Sequence, residues 1–380
     1  VNATGQGTAG SAPWGESVAR RARVRGTLLG GAIGDALGNP VEFLSIDGIR
    51  RAYGERGVRE LVADADGVVG RITDDTQMTL FTAEGLIRAR ARARSTGIGG
   101  AEAAIVRNAY LRWLDTQNHP APPARGGGSA VRTGWLRQQP WLYARRAPGN
   151  ACLTGLAAGH APDDGAPLDV PGPVNPQSKG CGTVMRSAPF GLLGDDPATA
   201  FRLAARCAQI THGHPTGAFA AGALAAIVAH LLEGDSPAGA VLRAMELLGR
   251  HHGHDETTAA LRAAVDLAAR GGPTAERVES LGAGWVAEEA LAIAVYCALV
   301  FPQEHEMAEA LLLSVNHSGD SDSTGSICGN LLGARHGDVR LPASWLAAVE
   351  GRSVIAELAD DLCMESEQPV TWPEGRYPEC

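Results

Sequence analysis

Apolar residues return every three or four positions along most of this chain, and no run of four or more alternates in the two-residue period of a half-buried strand. The first helical stretch starts near Ser17, carries Val18, Val24, Leu28, Leu29, Ile33 and Leu37, and stops at Asn39-Pro40, where proline removes a backbone donor. A short helix is predicted between residues 45 and 70. A longer one opens at Thr73 and runs through Phe81, Leu86 and Ile87 into the series Arg88 to Arg94, which reads as a solvated C-terminus favoured by the helix dipole. Ala101 to Leu114 follows, with Ile105, Val106, Tyr110, Trp113 and Leu114 facing inward. From Pro197 the pattern is almost continuously helical: Pro197 to Ile210, Pro215 to Leu232, Pro237 to Leu248, Thr257 to Ala268, Ala287 to Val300, Glu304 to Val315, a helix opening at Asp320 to Asp322 and closing near Gly337, and Leu341 to Met364 in pieces. The fold class is all-α. One compact domain is expected over 16–365, with 1–15 a disordered tail and 366–380 a C-terminal tail.

Two features interrupt this pattern. Gly26, Gly30, Gly34 and Gly38 repeat every four residues and leave a bare ridge on the first helix, each costing roughly 1 kcal/mol of helix propensity against alanine. Close helix packing would offset that cost, and so would the approach of backbone to a ligand. Between His119 and Pro176 lie ten of the 22 prolines and the run Gly126-Gly127-Gly128, around apolar islands at Trp135 to Tyr143 and Ala151 to Leu156. A segment of that length suits a binding loop or a surface insertion. Trp135, Trp141 and Tyr143, with Arg145 and Arg146, either form a rim that selects targets or pack the segment onto the bundle.

With 380 residues, 44% of them hydrophobic, the chain can bury one large core. A net charge of −9 and a pI near 5.7, with no basic stripe interleaved with aromatics, argue against strong nonspecific nucleic-acid binding. A modified nucleic acid remains an admissible substrate. Residues 1–15 lack the apolar centre of a leader, and no run of 18 uncharged apolar residues stands out, so a cytoplasmic protein without membrane association is expected. The cysteines at 152, 181, 207, 297, 328, 363 and 380 form no C-x-x-C pair and are odd in number, which fits reduced thiols. Lys179 is the single lysine, so there is no P-loop G-K-[ST].

Carboxylates concentrate at two predicted helix starts, Thr73-Asp74-Asp75 and Asp320-Ser321-Asp322-Ser323. Asp and Ser cap helices, and one such start alone calls for nothing more. Two of them, with Glu42 just past the first helix, gather five carboxylates that would raise one another's pKa values unless cations offset them. Hard oxygen donors favour magnesium or manganese over zinc or copper. If the glycine ridge serves ligand approach, Asp35 points from that helix into the same space; the alternative is that Asp35 only holds the helix. Gly180-Cys181-Gly182-Thr183 precedes a predicted helix start whose backbone N–H groups suit an anion. His251, His252, His254, Asp255 and Glu256 read as a solvated connection, since they sit between predicted helices without helical i, i+4 pairing.

Four segments resemble, in order, motifs of the ADP-ribosylglycohydrolase family: Gly30 to Phe43 (GGAIGDALGNPVEF), Ile72 to Leu80 (ITDDTQMTL), Gly180 to Gly191 (GCGTVMRSAPFG) and Ser318 to Gly325 (SGDSDSTG). The resemblance implies an orthogonal helical bundle with two Mg2+ or Mn2+ ions at the base of an ADP-ribose cleft. It implies Thr73, Asp74, Asp75, Asp320, Asp322 and Ser323 as metal ligands, and Asp75 and Glu42 as the groups that orient or deprotonate water. Asp35, Ser178, Gly180, Cys181, Gly182, Met185 and His212 are the implied substrate contacts, with Thr211-His212 near the phosphates. Lys179 and Cys181 stand where some branches place adenine-binding residues. The implied reaction cleaves the C1″–acceptor bond of an ADP-ribosylated protein or nucleic acid and releases ADP-ribose. Asp-Ser-Asp-Ser-Thr-Gly is similar to the arginine-directed branch. Serine- or nucleobase-linked substrates, and a non-catalytic ADP-ribose-binding or immunity role, are the alternatives. Because the implied ligands lie outside 119–176, that segment is expected to tune target choice and leave bond cleavage intact.

Overall fold

A computed structural model describes residues 14–123, 131–163 and 165–378, so residues 1–13 of the expected tail over 1–15, the Gly126-Gly127-Gly128 run and Cys380 lie outside the described residues. The helices are α1 (Trp14–Gly38), α2 (Ile46–Tyr53), α3 (Asp74–Thr96), α4 (Glu102–Asn118), α5 (Asn150–Ala157), α6 (Pro197–Ala208), α7 (Pro215–Leu232), α8 (Pro237–Leu248), α9 (Asp255–Ala269), α10 (Ala275–Glu279), α11 (Ala287–Val300), α12 (Met307–Val315), α13 (Ser321–His336), α14 (Ala343–Ala348) and α15 (Arg352–Glu367). Among the described residues there is no strand, only the isolated bridges Ala63 to Val69 and Gly180 to Val286. The protein is all-α. Helix starts follow the capping rules: α6, α7 and α8 each begin with proline behind a capping side chain, Asp196, His214 and Ser236. α1 begins at Trp14, three residues before the patterned stretch.

The core lies around α7 and α11, whose residues from Thr216 to Leu231 and from Ala287 to Ala298 are almost all buried. Among the described residues α7 alone is long and apolar enough by composition to cross a membrane, although its 18 residues include Thr216 and His230. Here 89% of those residues are buried, as in the central helix of a bundle.

α1 and α13 run antiparallel in backbone contact. The ridge Gly26, Gly30, Gly34, Gly38 on α1 meets Gly333, Gly329, Gly325 and Ser321 on α13, in that order. A Cβ added at Gly26 would sit 2.7 Å from the Gly333 carbonyl oxygen, well inside van der Waals contact. The ridge therefore supports close helix packing, which offsets its propensity cost. It also sets the C-terminal end of α1 beside the N-terminal end of α13.

Several peripheral expectations change. Arg88 is not solvated: it is buried against Glu84, which also pairs with Arg112 at 2.8 Å, and it donates to the Thr133 hydroxyl at 2.8 Å. Arg90 pairs with Asp195 at 2.6 Å, and Arg94 donates to Glu365 at 3.0 Å. The aromatics of the proline-rich segment pack it onto the bundle: Trp135 lies under Arg376 at 4.3 Å, Trp141 lies against Gly351, and Tyr143 Oη donates to the Arg137 carbonyl at 2.8 Å. The stretch after α15 is held down at Trp372, whose Nε1 donates to Glu365 at 2.9 Å, and at Tyr377, whose Oη donates to Asp361 at 2.6 Å. In the histidine-rich connection, His251 stacks on Phe201 at 5.1 Å and Glu256 pairs with Lys179 at 2.7 Å.

Candidate active-site cleft

The site is assembled from three helix ends. Asp35, fully buried near the end of α1, accepts hydrogen bonds from the backbone of Thr73 (2.9 and 3.0 Å), the backbone of Thr76 (3.1 Å) and the Thr76 hydroxyl (2.5 Å). It caps α3. Thr73 Oγ1 accepts the Asp75 N–H at 3.3 Å, and the Thr73 side chain reaches the Asp322 carboxylate across the junction of the two helices. Asp74 is held from the far side, where its N–H donates to the Arg146 carbonyl at 3.2 Å and Gly149 N–H meets its carboxylate. Arg146 is itself fixed by Glu350 at 3.0 Å and by the Ile72 carbonyl at 2.8 Å.

α13 is aimed by the turn before it. Gly319 has φ +129°, a conformation reserved for glycine, and the next N–H, that of Asp320, donates to the Ala283 carbonyl at 2.8 Å. Asp320 sits at the N-cap of α13 yet makes no side-chain capping bond. Its carboxylate turns instead toward Glu42 and Asp322, and ligand oxygens of these three groups lie within 4.8 Å of one another. Asp75 Oδ2 is buried without a hydrogen-bond partner.

These groups line a cleft of about 310 Å³, with Glu42, Asp74, Asp75, Asp320 and Asp322 on its walls and no lysine or arginine among its described lining residues. Burial, and for all but Asp322 the neighbouring carboxylates, push the acids upward: Asp74, Asp75 and Asp320 well above the usual carboxylate range, Asp322 upward, Glu42 to about 10. Asp35 behind them rises to about 7 from the same causes.

The other wall is the loop Ser178 to Met185 with His212. Lys179 holds this loop from outside, paired with Glu256 at 2.7 Å and with Glu288. Beneath it, Arg186 is buried and pairs with no carboxylate among the described residues; it lies 4.4 Å over the Tyr110 ring and donates to Thr211 Oγ1 at 2.7 Å. Thr211 Oγ1 lies 2.7 Å from His212 Nδ1. An arginine can only donate, so the fully buried threonine hydroxyl satisfies its own proton by giving it to Nδ1. His212 is then the Nε2–H tautomer, with Nε2 beside Gly180 at the cleft. Burial and Arg186 lower its pKa to about 3, so the ring is a neutral donor.

The sequence pattern of the ADP-ribosylglycohydrolase family matches residues 16–370. The chain belongs to that family. It is 24% identical over 333 residues to the ADP-ribosyl-[dinitrogen reductase] glycohydrolase of Rhodospirillum rubrum, covering 86% of this chain and 90% of that protein. To the ADP-ribosylarginine hydrolase Tri1 of Pseudomonas putida (strain GB-1) it is 24% identical over 362 residues, covering 90% and 77%. A solved ADP-ribosylglycohydrolase-related protein complex superposes with a TM-score of 0.61 at 27% identity, over 92% of this chain and 99% of that one. Members of the family are hydrolases that act on glycosyl bonds of ADP-ribosylated substrates.

Within this ADP-ribosylglycohydrolase, Glu42, Asp74, Asp75, Asp320, Asp322 and Ser323 reach the cleft, as do Ser178, Gly180, Cys181, Gly182, Met185 and His212. Thr73 stands behind the wall as cap and bridge. Asp35 corrects the expectation of a substrate contact: both its oxygens are occupied by the start of α3. The Cys181 thiol faces Asp320 and Ser323. Ala147 to Cys152 also line the cleft, so the proline-rich segment does contribute to the reacting centre. Phe43 and Trp285 stand at the same cleft and were not singled out by any spacing. Phe43 carries a signal only as the last letter of a motif, and Trp285 carries none.

Proposed function

We propose that this protein hydrolyses the bond between C1″ of ADP-ribose and the acceptor atom of a modified target, with arginine-linked ADP-ribose as the substrate. Water supplies hydroxyl to C1″ and a proton to the departing acceptor. The observation that carries the reading is the convergence of five carboxylates in a cleft with no lysine or arginine among its described lining residues, one of them with an unpartnered buried oxygen and another at a helix start it does not cap. The relative named as an ADP-ribosylarginine hydrolase supports the arginine choice.

An all-oxygen donor set of this charge fits two magnesium or manganese ions, held by Thr73, Asp74, Asp75, Asp320, Asp322 and Ser323. Bound there, such ions supply charge balance, a hold on ribose hydroxyls and acidification of water. The chain's own groups do the rest. Glu42, half-buried and adjacent to Asp320 and Asp322, and Asp75, with its free Oδ2, orient the water and accept its proton. The carboxylate field favours the positive charge that develops at C1″ as the acceptor leaves. The backbone of Gly180 and Gly182 and the His212 Nε2–H line the cleft as donors for the pyrophosphate.

The test is to incubate the purified protein with ADP-ribosylarginine and quantify free ADP-ribose and free phosphate, with and without a chelator, while magnesium binding is followed by calorimetry. ADP-ribose release, abolished by chelation, with two ions bound per chain is expected. Phosphate release would instead indicate a phosphohydrolase, and full turnover of a metal-free preparation would remove the ions from the reading.

A further inference from the structure

Turn chemistry at the rim of the cleft is at odds with the residue that occupies it. Leu44 N–H donates to the Val41 carbonyl at 3.0 Å, Glu42 has φ −48° and ψ 139°, and Phe43 has φ +68°. These are the marks of a type II turn, whose third residue is ordinarily glycine because a side chain is strained at positive φ. Phenylalanine is held there instead with 69% of its surface exposed. Its ring stacks on Trp285, itself 40% exposed, with centroids 5.2 Å and planes 22° apart. Trp285 is fixed by the loop opposite, since its carbonyl accepts the Cys181 N–H at 3.1 Å. Neither burial nor turn geometry explains two exposed rings meeting from positions so distant in the chain. Strain kept at an exposed position beside a cleft points to a ligand.

We propose that the Phe43–Trp285 ledge is the acceptor subsite and takes the planar guanidinium of an arginine side chain. The inference rests on the hydrolytic reading above and names the acceptor within it. Phe43 directly follows Glu42, and a Cβ built at Gly284, the neighbour of Trp285, would lie 3.3 Å from the Asp320 side chain. The ledge thus borders the carboxylate cluster, where the C1″–acceptor bond has to lie if the acids act on it. A guanidinium uses everything this rim offers: ring faces for stacking and cation–π attraction, and the Glu42 carboxylate next to them for its N–H groups. The described residues of the cleft wall include no arginine or lysine to repel it. A serine hydroxyl has neither the plane nor the charge to use the ledge, and an uncharged base has only the plane.

The experiment uses the full chain with magnesium and three variants. Phe43→Gly removes the ring while relaxing the turn, Trp285→Ala removes its partner, and Phe43→Tyr keeps the plane. KM and kcat are measured on ADP-ribosylarginine and on O-linked ADP-ribosylserine, and the affinity for free ADP-ribose by calorimetry. The two ring-removing variants are expected to lower kcat/KM on the arginine linkage by about tenfold, mostly through KM, as loss of a desolvated cation–π contact implies. Serine-linked turnover and ADP-ribose affinity should stay within about twofold, and Phe43→Tyr should match the parent on all three. Equal losses on both linkages together with weaker ADP-ribose binding would place the ledge under ADP-ribose and overturn the proposal. Unchanged arginine-linked kinetics in both ring-removing variants would overturn it as well. Failure of the hydrolytic reading has its own signature, a parent protein that releases ADP-ribose from neither linkage.

Discussion

α3 and α13 open with the same residue types and are completed in different ways. At α3 the capping is delegated: Asp35 of α1 takes the Thr73 and Thr76 N–H groups, and Thr73 takes that of Asp75. Asp74 and Asp75 are left facing the cleft. At α13 nobody caps with a side chain; Asp320 occupies the N-cap and spends its carboxylate on the cleft, while Asp322 Oδ1 accepts the Ser323 N–H at 2.9 Å. Acidic helix starts are common because they stabilise helices, so residue type cannot separate structure from chemistry. What separates them is whether the buried carboxylate has donors of its own. Asp35 has its full set and is structural, whereas Asp75 has an oxygen with none.

The largest expected effect breaks that contrast directly. Asp75→Asn or Asp322→Asn should cut ADP-ribose release about a thousandfold, the scale on which lost electrostatic stabilisation of a transition state shows. Helical content should be unchanged by circular dichroism, and the metal-free melting temperature should rise, because one of several mutually repelling buried charges is gone. Retention of a tenth of the activity would mean that the unpartnered oxygens are not part of the chemistry.

Next comes the frame that brings the two ends together. Gly329→Ala pushes a Cβ onto the Gly30 backbone, where no side chain can move aside, and should cost about 3 kcal/mol by urea denaturation. Asp35→Ala, which strands two buried N–H groups, should cost about 2 kcal/mol and lower kcat with it, since Asp74 and Asp75 lose their anchorage. Asp320→Asn abolishes no cap and removes one of the mutually repelling buried charges, so it should not lower the stability of the metal-free protein while it removes activity. Equal destabilisation by Asp35→Ala and Asp320→Asn would erase the distinction between the two ends.

The helical period and the four-residue glycine ridge are legible in the chain because both are repeats of residue type. The ridge's partner, Gly325, Gly329 and Gly333, has the same spacing and is overshadowed by the carboxylates just before it. The cleft carboxylates are legible as a group, through two acidic helix starts and a glutamate. Asp35 is legible as a member of that neighbourhood and misread as a contact, because only the fold shows that its oxygens are taken. Arg88 is misread through its alternation with alanine, although Glu84 four residues earlier is the usual sign of a helical ion pair. The contribution of residues 146–152 is invisible, since the Arg146 carbonyl and Gly149 N–H act through backbone that no side-chain pattern reports. Trp285 meets Phe43 only in three dimensions.

A smaller effect follows from the acids being raised. Asp35 moves from an ordinary 3.8 to about 7 on folding, so between these pH values the folded chain binds more protons than the unfolded one. Stability of the metal-free protein should therefore fall as pH rises from about 4 to 7, with Asp74, Asp75 and Asp320 contributing in the same direction and outweighing the opposite slope of the buried His212. Saturating magnesium should flatten the slope, because ions that bind only the folded carboxylates oppose the proton linkage. Melting temperatures across that range with and without magnesium check both signs; a stability that climbs with pH in the metal-free protein would contradict the carboxylate assignment.

The smallest expected effect lies on the opposite wall, where a buried cation and not a carboxylate sets the local order. Arg186 donates to Thr211 Oγ1, which leaves the threonine proton for His212 Nδ1 and keeps the Nε2–H toward the cleft. Thr211→Val keeps the volume and removes both roles of the hydroxyl, so His212 loses the bond that selects its tautomer. One hydrogen bond to a phosphate oxygen is then made by only part of the population, and ADP-ribose affinity should fall about five- to tenfold by calorimetry. Thr211→Ser should restore it, since the hydroxyl can take the same position. The nitrogen chemical shifts of His212 give an independent readout: protonated Nε2 and bare Nδ1 in the parent, a mixture of the two tautomers in Thr211→Val. If the valine variant kept both the parent affinity and the parent tautomer, the Arg186–Thr211–His212 series would be packing alone, and the anion-holding wall would owe its order to the backbone of the Ser178 to Met185 loop.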